Sequence, residues 1–391
     1  MTDFFDKALL PAGFSDVLAP DADFEASVLN RLLRCFSGHG YDRVEPPLIE
    51  FEDGLLTGIG AGLAEQTFRL MDPESQRMMA VRADITPQVA RIAQARLAKA
   101  PRPLRLSYAG QVLRVRGSQL RPERQFTQVG AELIGAAGPA ADAEVIAMAA
   151  GALIELGVAE LSCDLGLPAL VPAVSGDADP SLQAKLRQAL DRKDAAAVAG
   201  LGGELGEALT QTLAAMLSAA GPAAKTLDAL GGLGLESDAE DGRKLLADVV
   251  DRVRAARPDL KLTIDPVENR GFEYHTGVTF TFFAKGVRGE LGSGGRYAAN
   301  DDDANGGEPA TGFTLFMDTV LRALPAPVTA SRVFLPAGTP AEEAAKLRAK
   351  GWIAVASLDQ GADAETEAKR LACSHLLDGG KIKEIGKKKK G

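Results

Sequence analysis

Residues 104–134 read LRLSYAGQVLRVRGSQLRPERQFTQVGAELI. Two β-rich runs flank the polar segment GSQLRPER, and the pattern predicts an antiparallel hairpin with an arginine-bearing turn. In the second strand Thr127, Val129, Ala131 and Leu133 form one apolar face, while Gln128, Gly130 and Glu132 alternate onto the other. The second face is the odd one. An amide and a carboxylate in line, separated by a glycine with no side chain, make a floor on which a small polar ligand can settle. The plain alternative is a solvated sheet face.

Working outward, residues 22–37 place Val28, Leu29, Leu32, Leu33 and Phe36 on one stripe ahead of Gly38 and Gly40, which predicts an amphipathic helix and its stop. GYDRVEPPLIEF follows, and its adjacent Pro46 and Pro47 cannot donate to a ladder, so this strand is expected at an edge or an interface. Residues 180–256 are rich in Ala, Leu, Lys and Glu, with glycine breaks at 200–206 and 231–234, and read as an inserted helical module. Strands are expected at KLTIDP and EYHTGVTFTFF, then a turn at LGSGGRY, an acidic loop at DDDANGGE and an apolar helix beginning near Thr311. The core domain, 1–324, closes there. Pro325 and Pro327 mark a linker to a tail of 325–391, where RVFLPAG, EEAAKLRAK, WIAVASL, a second helix and SHLLDG alternate as a small α/β domain.

The chain has 391 residues, and at about 150 residues per domain it has ample core for two or three domains. Its 46% hydrophobic and 25% charged residues are the balance of an ordinary globular protein, so wholesale disorder is not expected. The net charge of −9 argues against a broad nucleic-acid footprint, because phosphate neutralisation supplies most non-specific affinity. Cys35, Cys163 and Cys373 are far apart with no CxxC, which suggests neither a disulfide framework nor a thiolate zinc site and fits a reducing cytoplasm. His39, His275 and His375 are too few for a histidine-rich metal cluster, and no HExxH is present. No GxxxxGK[ST] or GxGxxG occurs, so P-loop and Rossmann nucleotide sites lose their support, and neither a metal nor a cofactor is expected. The opening MTDFFDKALLPAGF lacks a basic and then apolar signal pattern, and Val145–Val158 falls short of the roughly 20 residues of a membrane span, so a cytoplasmic protein without a membrane segment is expected.

Arg114, the polar loop with Arg124, then Phe126, Gln128 and Glu132 together resemble motif 2 of the class II aminoacyl-tRNA synthetases, closely that of histidyl-tRNA synthetase. GYDRVEPPLIE is similar to motif 1, with Pro47 as its interface proline. VRADITPQVAR resembles the amino-acid-binding segment that usually carries Arg-Pro-Glu-Gly-Thr, and RGFEYHTGVTF with GGRY resembles the two histidine-specific motifs. The motifs run in order across residues 8–324. The resemblance implies an α+β class II synthetase-like fold: an antiparallel sheet flanked by helices, a helical insertion and a small C-terminal α/β domain. It also implies self-association through the motif 1 region.

Departures from the family pattern fall on the nucleotide side. ATGFTLFMDT aligns with motif 3, so Thr319 stands where the family has a phosphate-clamping arginine and Phe316 where it has the glycine that lets ATP lie close. Arg116 replaces the adenine-side glutamate of motif 2. Adenylation needs fixed cations on the ATP phosphates, so no catalytic residues are expected. The histidine side is retained: Glu132 and Gln128 keep their places, Arg114 and Arg270 can face a carboxylate, and Asp84 and Thr86 take the positions that hold the ammonium group. Tyr274 keeps a tyrosine of the histidine motif, and His275 stands where the second would be. Free histidine needs an acceptor for its imidazole N–H, a cation for its carboxylate and an anion for its ammonium, and Glu132, Arg114 or Arg270, and Asp84 supply one each.

This combination resembles the regulatory subunits of short-form ATP phosphoribosyltransferases. For that family the resemblance implies a non-catalytic chain that joins a short catalytic subunit, is required for the first step of histidine biosynthesis, and binds free histidine as feedback effector. No tRNA partner is expected: residues 331–386 carry 8 Lys plus Arg against 8 Asp plus Glu, a poor clamp for tRNA, and Lys387–Lys390 read as a solvated tail. A working histidyl-tRNA synthetase is the competing reading, and a synthetase-like protein for another amino acid a third.

Overall fold

The computed structural model describes residues 9–176, 179–268, 275–299, 307–327, 330–359 and 363–386. Two compact units divide the chain, 1–325 and 326–391.

In the first unit the hairpin forms as β5 (Leu104–Leu113) and β6 (Gln125–Ile134), paired antiparallel with Leu106 opposite Glu132 and Gly110 opposite Gln128. It sits inside a nine-stranded sheet with β1 (Asp42–Arg43), β7 (Leu161–Gly166), β8 (Gly221–Pro222), β9 (Lys261–Asp265), β10 (His275–Ala284), β11 (Gly292–Ala298) and β12 (Pro309–Phe316). The strand order is β1-β5-β6-β12-β11-β10-β7-β9-β8. The six central strands are antiparallel, and parallel pairing appears toward the rims, at β1 with β5 and β7 with β9.

The period-two pattern of β6 divides the sheet between two environments. Val129, Ala131 and Leu133 pack into the larger core with helix Pro139–Leu156 and with Val28, Leu32 and Phe36 of helix Asp21–Gly38. Helix Pro139–Leu156 is apolar nearly all round because helix Ser237–Ala256 covers its outer side with Leu246, Val249, Val250 and Val253. Phe126 and Ile134 join Tyr108, Tyr297 and Phe316 in a second cluster on the opposite face. Between residues 180 and 256 the chain forms six helices, from Pro180–Asp191 to Ser237–Ala256, interrupted by β8.

Two local expectations are corrected. GYDRVEPPLIEF does not form one strand: β1 is at the rim of the large sheet, while β2 (Ile49–Phe51) is at the rim of a separate three-stranded sheet with β3 (Arg69–Met71) and β4 (Met78–Val81), in the order β2-β4-β3. The break falls at the prolines, whose carbonyls are taken by side chains instead of a ladder, Pro46 O by Arg82 Nη1 at 2.9 Å and Pro47 O by Gln88 Nε2 at 2.7 Å. Thr311 lies in β12, and the helix begins only at Met317. Because β12 runs between β6 and β11 and residues 310–316 are buried, their apolar run has no alternation to separate strand from helix.

The second unit is a four-stranded sheet, in the order β14 (Ile353–Ala356), β13 (Arg332–Leu335), β15 (His375–Asp378) and β16 (Lys381–Glu384), with helices Ala341–Ala349 and Ala364–Arg370. The first three strands are parallel, as β-α-β-α-β order requires, and β16 adds an antiparallel hairpin that the sequence reading stopped short of. Lys387–Lys390 and most of the acidic loop after Asn300 lie outside the described residues. No helix among the described residues is long and apolar enough to cross a membrane.

Leu153, on helix Pro139–Leu156, is fully buried in the larger core. Leu153→Ala is expected to lower the unfolding free energy by about 2–5 kcal/mol in urea titration, with the m-value unchanged.

Candidate functional site

Of the three residues on the odd face of β6, Glu132 lines a cavity of about 820 Å³ walled by β10, β11, β12, residues 58–63 and the start of helix Thr86–Ala95. Glu132, 1% exposed, forms its floor. One carboxylate oxygen, Oε1, accepts from Thr86 Oγ1 at 3.1 Å and Tyr108 OH at 3.2 Å, and Oε2 accepts from Tyr297 OH at 2.9 Å. Tyr108 OH is also 2.7 Å from Thr314 Oγ1. Two glycines make room for this arrangement. A Cβ at Gly312, which pairs with Glu132 across β12 and β6, would lie 1.7 Å from Glu132 Oε2. At Gly130, opposite Tyr108, it would lie 2.5 Å from the Tyr108 hydroxyl.

Burial pushes the Glu132 carboxyl up to about 8; the three hydroxyls oppose that rise, while the charge of Asp84 adds to it. Tyr108 and Tyr297 are raised well above their ordinary range, first by burial and then by the Glu132 charge. The floor is therefore a carboxylic acid near neutral pH, ready to become a carboxylate when a ligand donates to it.

Asp84 supplies the second acid. Its Oδ1 accepts from the Thr86 backbone N–H at 2.9 Å, and its Oδ2 accepts from Gln128 Nε2 at 2.7 Å. Gln128 Oε1 in turn accepts from the Ile85 N–H at 3.1 Å. Gln128, expected among the contact residues, is fully buried and outside the cavity wall, where its amide braces Asp84. Arg114 brings a cation to the wall, its Nε donating to Ala83 O at 3.4 Å and its guanidinium lying 5.1 Å from the centroid of Phe126. Burial pulls Arg114 below its ordinary value while Asp84 opposes this, and it stays charged.

Asp84, Thr86, Arg114, Glu132 and His275 thus converge on one cavity. His275, at the start of β10, sits over Gly295, where a Cβ would come within 2.9 Å of its Nε2. Arg270 and Tyr274 lie outside the described residues. Sequence reasoning did not single out Tyr108 and Tyr297, the hydroxyls on Glu132, nor Arg187, Glu268 and Glu290, which also line the cavity. Tyr108 shares its face of β5 with Leu104, Leu106 and Val112 and so reads as core. Arg187 comes from helix Pro180–Asp191, and no local pattern ties it to the hairpin. Among the described residues, no group of three or more His, Cys, Asp or Glu side chains could hold a metal ion.

Of the three residues that depart from the family's nucleotide pattern, Phe316 and Thr319 are buried and Arg116 is exposed.

The fold and this cavity define a class II aminoacyl-tRNA synthetase-like protein, and the family described as histidyl-tRNA synthetase matches residues 13–320. A solved structure described as an ATP phosphoribosyltransferase regulatory subunit/histidyl-tRNA synthetase from Bacillus halodurans superposes with a TM-score of 0.81 at 24% identity, over 93% of this chain and 96% of that one, a likeness of fold. In sequence, the ATP phosphoribosyltransferase regulatory subunit of Rhodospirillum centenum is 57% identical over 97% of this chain and 96% of its own length. That of Paramagnetospirillum magneticum is 56% identical over 98% of this chain and 100% of its own length. The chain belongs to the family of ATP phosphoribosyltransferase regulatory subunits, on a histidyl-tRNA synthetase-like fold.

The raised Glu132 carboxyl has a consequence for stability. Its proton is held more tightly in the folded chain than in the unfolded one, so this contribution to stability is complete below about pH 4.5 and is lost as pH rises through about 8. Glu132→Gln removes the titration. Its thermal midpoint is expected to fall less than that of the wild type between pH 7 and pH 9, measured by circular dichroism; parallel profiles would contradict the assignment.

Proposed function

We propose that this chain is a non-catalytic regulatory subunit of a short-form ATP phosphoribosyltransferase. In this role it is needed for the first step of histidine biosynthesis and confers feedback inhibition by free histidine bound in the cavity over Glu132. The observation that supports the reading is the make-up of the cavity: an acid floor, an acid wall and a guanidinium wall for an amino acid, and Phe316 in the wall, with Thr319 buried three residues on, where a nucleotide would need space and positive charge.

Glu132 accepts the imidazole N–H, Asp84 the ammonium group, and Arg114 the carboxylate, with Arg270 as the alternative cation. An amino acid without a ring donor leaves Glu132 without that partner, at a cost of about 1–3 kcal/mol, which makes the pocket selective. Regulation follows from linkage. Histidine that binds one arrangement of the assembled enzyme better than another shifts the population toward it, and a coupling of about 1–3 kcal/mol suffices for a 5- to 150-fold effect. The motif 1 region, with β1 and β2 at the rims of their sheets, is the surface for a homodimer onto which catalytic subunits assemble.

Calorimetric titration of the full chain tests the site. Histidine is expected to bind, with Glu132→Ala folded and its affinity reduced at least about tenfold, the equivalent of 1.4 kcal/mol. Because the carboxylate is a stronger acceptor for the imidazole N–H than the neutral acid, wild-type affinity should rise with pH up to about 8. Unchanged affinity in Glu132→Ala would show the pocket misplaced. Histidine-dependent exchange of pyrophosphate into ATP is expected to be absent; robust exchange would establish the competing reading of a working synthetase.

A further inference from the structure

The loop between β5 and β6 buries a charge that neither the amino-acid site nor the family assignment uses. Arg121 is 7% exposed. Its guanidinium lies 3.9 Å from the ring centroid of Phe316 and 5.0 Å from that of Phe126, two rings that meet edge to face with centroids 6.0 Å apart. At its polar edge Nε donates to Asp318 Oδ2 at 3.2 Å, Nη2 donates to Thr319 Oγ1 at 3.3 Å, and Nη1 pairs with Glu290 Oε1 at 3.6 Å. The loop itself is folded to present it: the Arg121 N–H donates to Ser118 Oγ at 2.9 Å, and the Ser118 N–H donates to Arg121 O at 2.6 Å.

A planar, delocalised cation against aromatic rings, with carboxylates at its edge, is the arrangement that holds a guanidinium in place. Two of its walls, Phe316 and Glu290, also line the cavity. Phe316 and Thr319 stand at the two motif 3 positions where the synthetase pattern meets ATP. The slot's geometry therefore bears on which ligands the cavity admits.

We infer that Arg121 is the resident occupant of the cavity's nucleotide side, a guanidinium that fills the slot between Phe126 and Phe316 and so determines the specificity of the pocket for an amino acid over a nucleoside. A purine entering here displaces the guanidinium from its stack, strips Glu290 of this partner and leaves Asp318 with Arg322, 3.3 Å away, as its remaining cation, so the slot presents less positive charge to any phosphate that follows. Exclusion of ATP is thus built from an added group as well as from lost ones. The choice between nucleoside and amino acid rests on the histidine reading above, whereas the occupied slot does not.

The test uses the full chain and adenosine, a probe without phosphate, followed by saturation-transfer NMR and calorimetry, with histidine titrated into the same samples. Wild-type protein is expected to show no saturable adenosine binding, and Arg121→Ala to acquire it while its histidine affinity stays within about threefold. Adenosine binding by the wild type, or none by Arg121→Ala, would overturn the inference. Failure of both proteins to bind histidine would instead refute the sensor reading.

A second measurement applies even if Arg121→Ala is poorly stable. Arg322 already donates to Thr319 Oγ1 at 3.1 Å, so Thr319→Arg alone adds a third guanidinium beside Arg121 and Arg322 and should lower the thermal midpoint. In the Arg121→Ala background the same change supplies the one guanidinium that the rings of Phe126 and Phe316 take and should raise it. Additive effects of the two substitutions would contradict single occupancy of the slot.

Discussion

Everything at this site depends on one buried carboxyl group and the space made for it. Glu132 sits on the central part of a sheet, out of water, and three hydroxyls converge on it. An unpaired charge there is costly, and a neutral acid with hydroxyl partners is the form that burial favours. The glycine opposite it on β12 and the glycine two residues before it on β6 are what allow a glutamate and a tyrosine hydroxyl to share that volume. The rest of the cavity is arranged around this acid: Asp84, braced by Gln128, and Arg114 just after β5.

The contrast between the two sides of the cavity gives the chain its character. On the side proposed for the amino acid, the polar groups are those that a zwitterion with a ring donor would need. On the other side, Phe126, Phe316 and Arg121 fill volume, and the carboxylates of Asp318 and Glu290 are committed to a side chain of the protein itself. A synthetase-like fold furnished in this way is suited to holding a small molecule without activating it. That is the property a regulatory subunit needs, and it accords with the family to which the chain belongs.

Much of this was legible in the residues because a strand has period two. Gln128, Gly130 and Glu132 had to share a face, and a carboxylate beside a glycine on that face had to lie over something other than packed core. What stayed hidden did so for physical reasons. Tyr108 and Tyr297 are apolar in body and polar only at the tip, so they look like core until a partner is placed opposite. Gln128 shares the face of Glu132, yet its amide is used by Asp84 and the backbone of Ile85, which a period-two pattern cannot reveal. The loop GSQLRPER contains two arginines, and only the fold shows that Arg121 turns inward. β12 passed for a helix because burial on both sides erases the alternation that identifies a strand.

The central claim is that histidine acts on a partner through the Glu132 cavity, and the most direct measurement reconstitutes a short phosphoribosyltransferase catalytic chain with this protein and titrates histidine against its activity. The account predicts that the wild-type complex is active and inhibited by histidine, and that the complex with Glu132→Ala is active but insensitive over the same concentrations. Equal inhibition of the two complexes, or a catalytic chain indifferent to the presence of this protein, would contradict it.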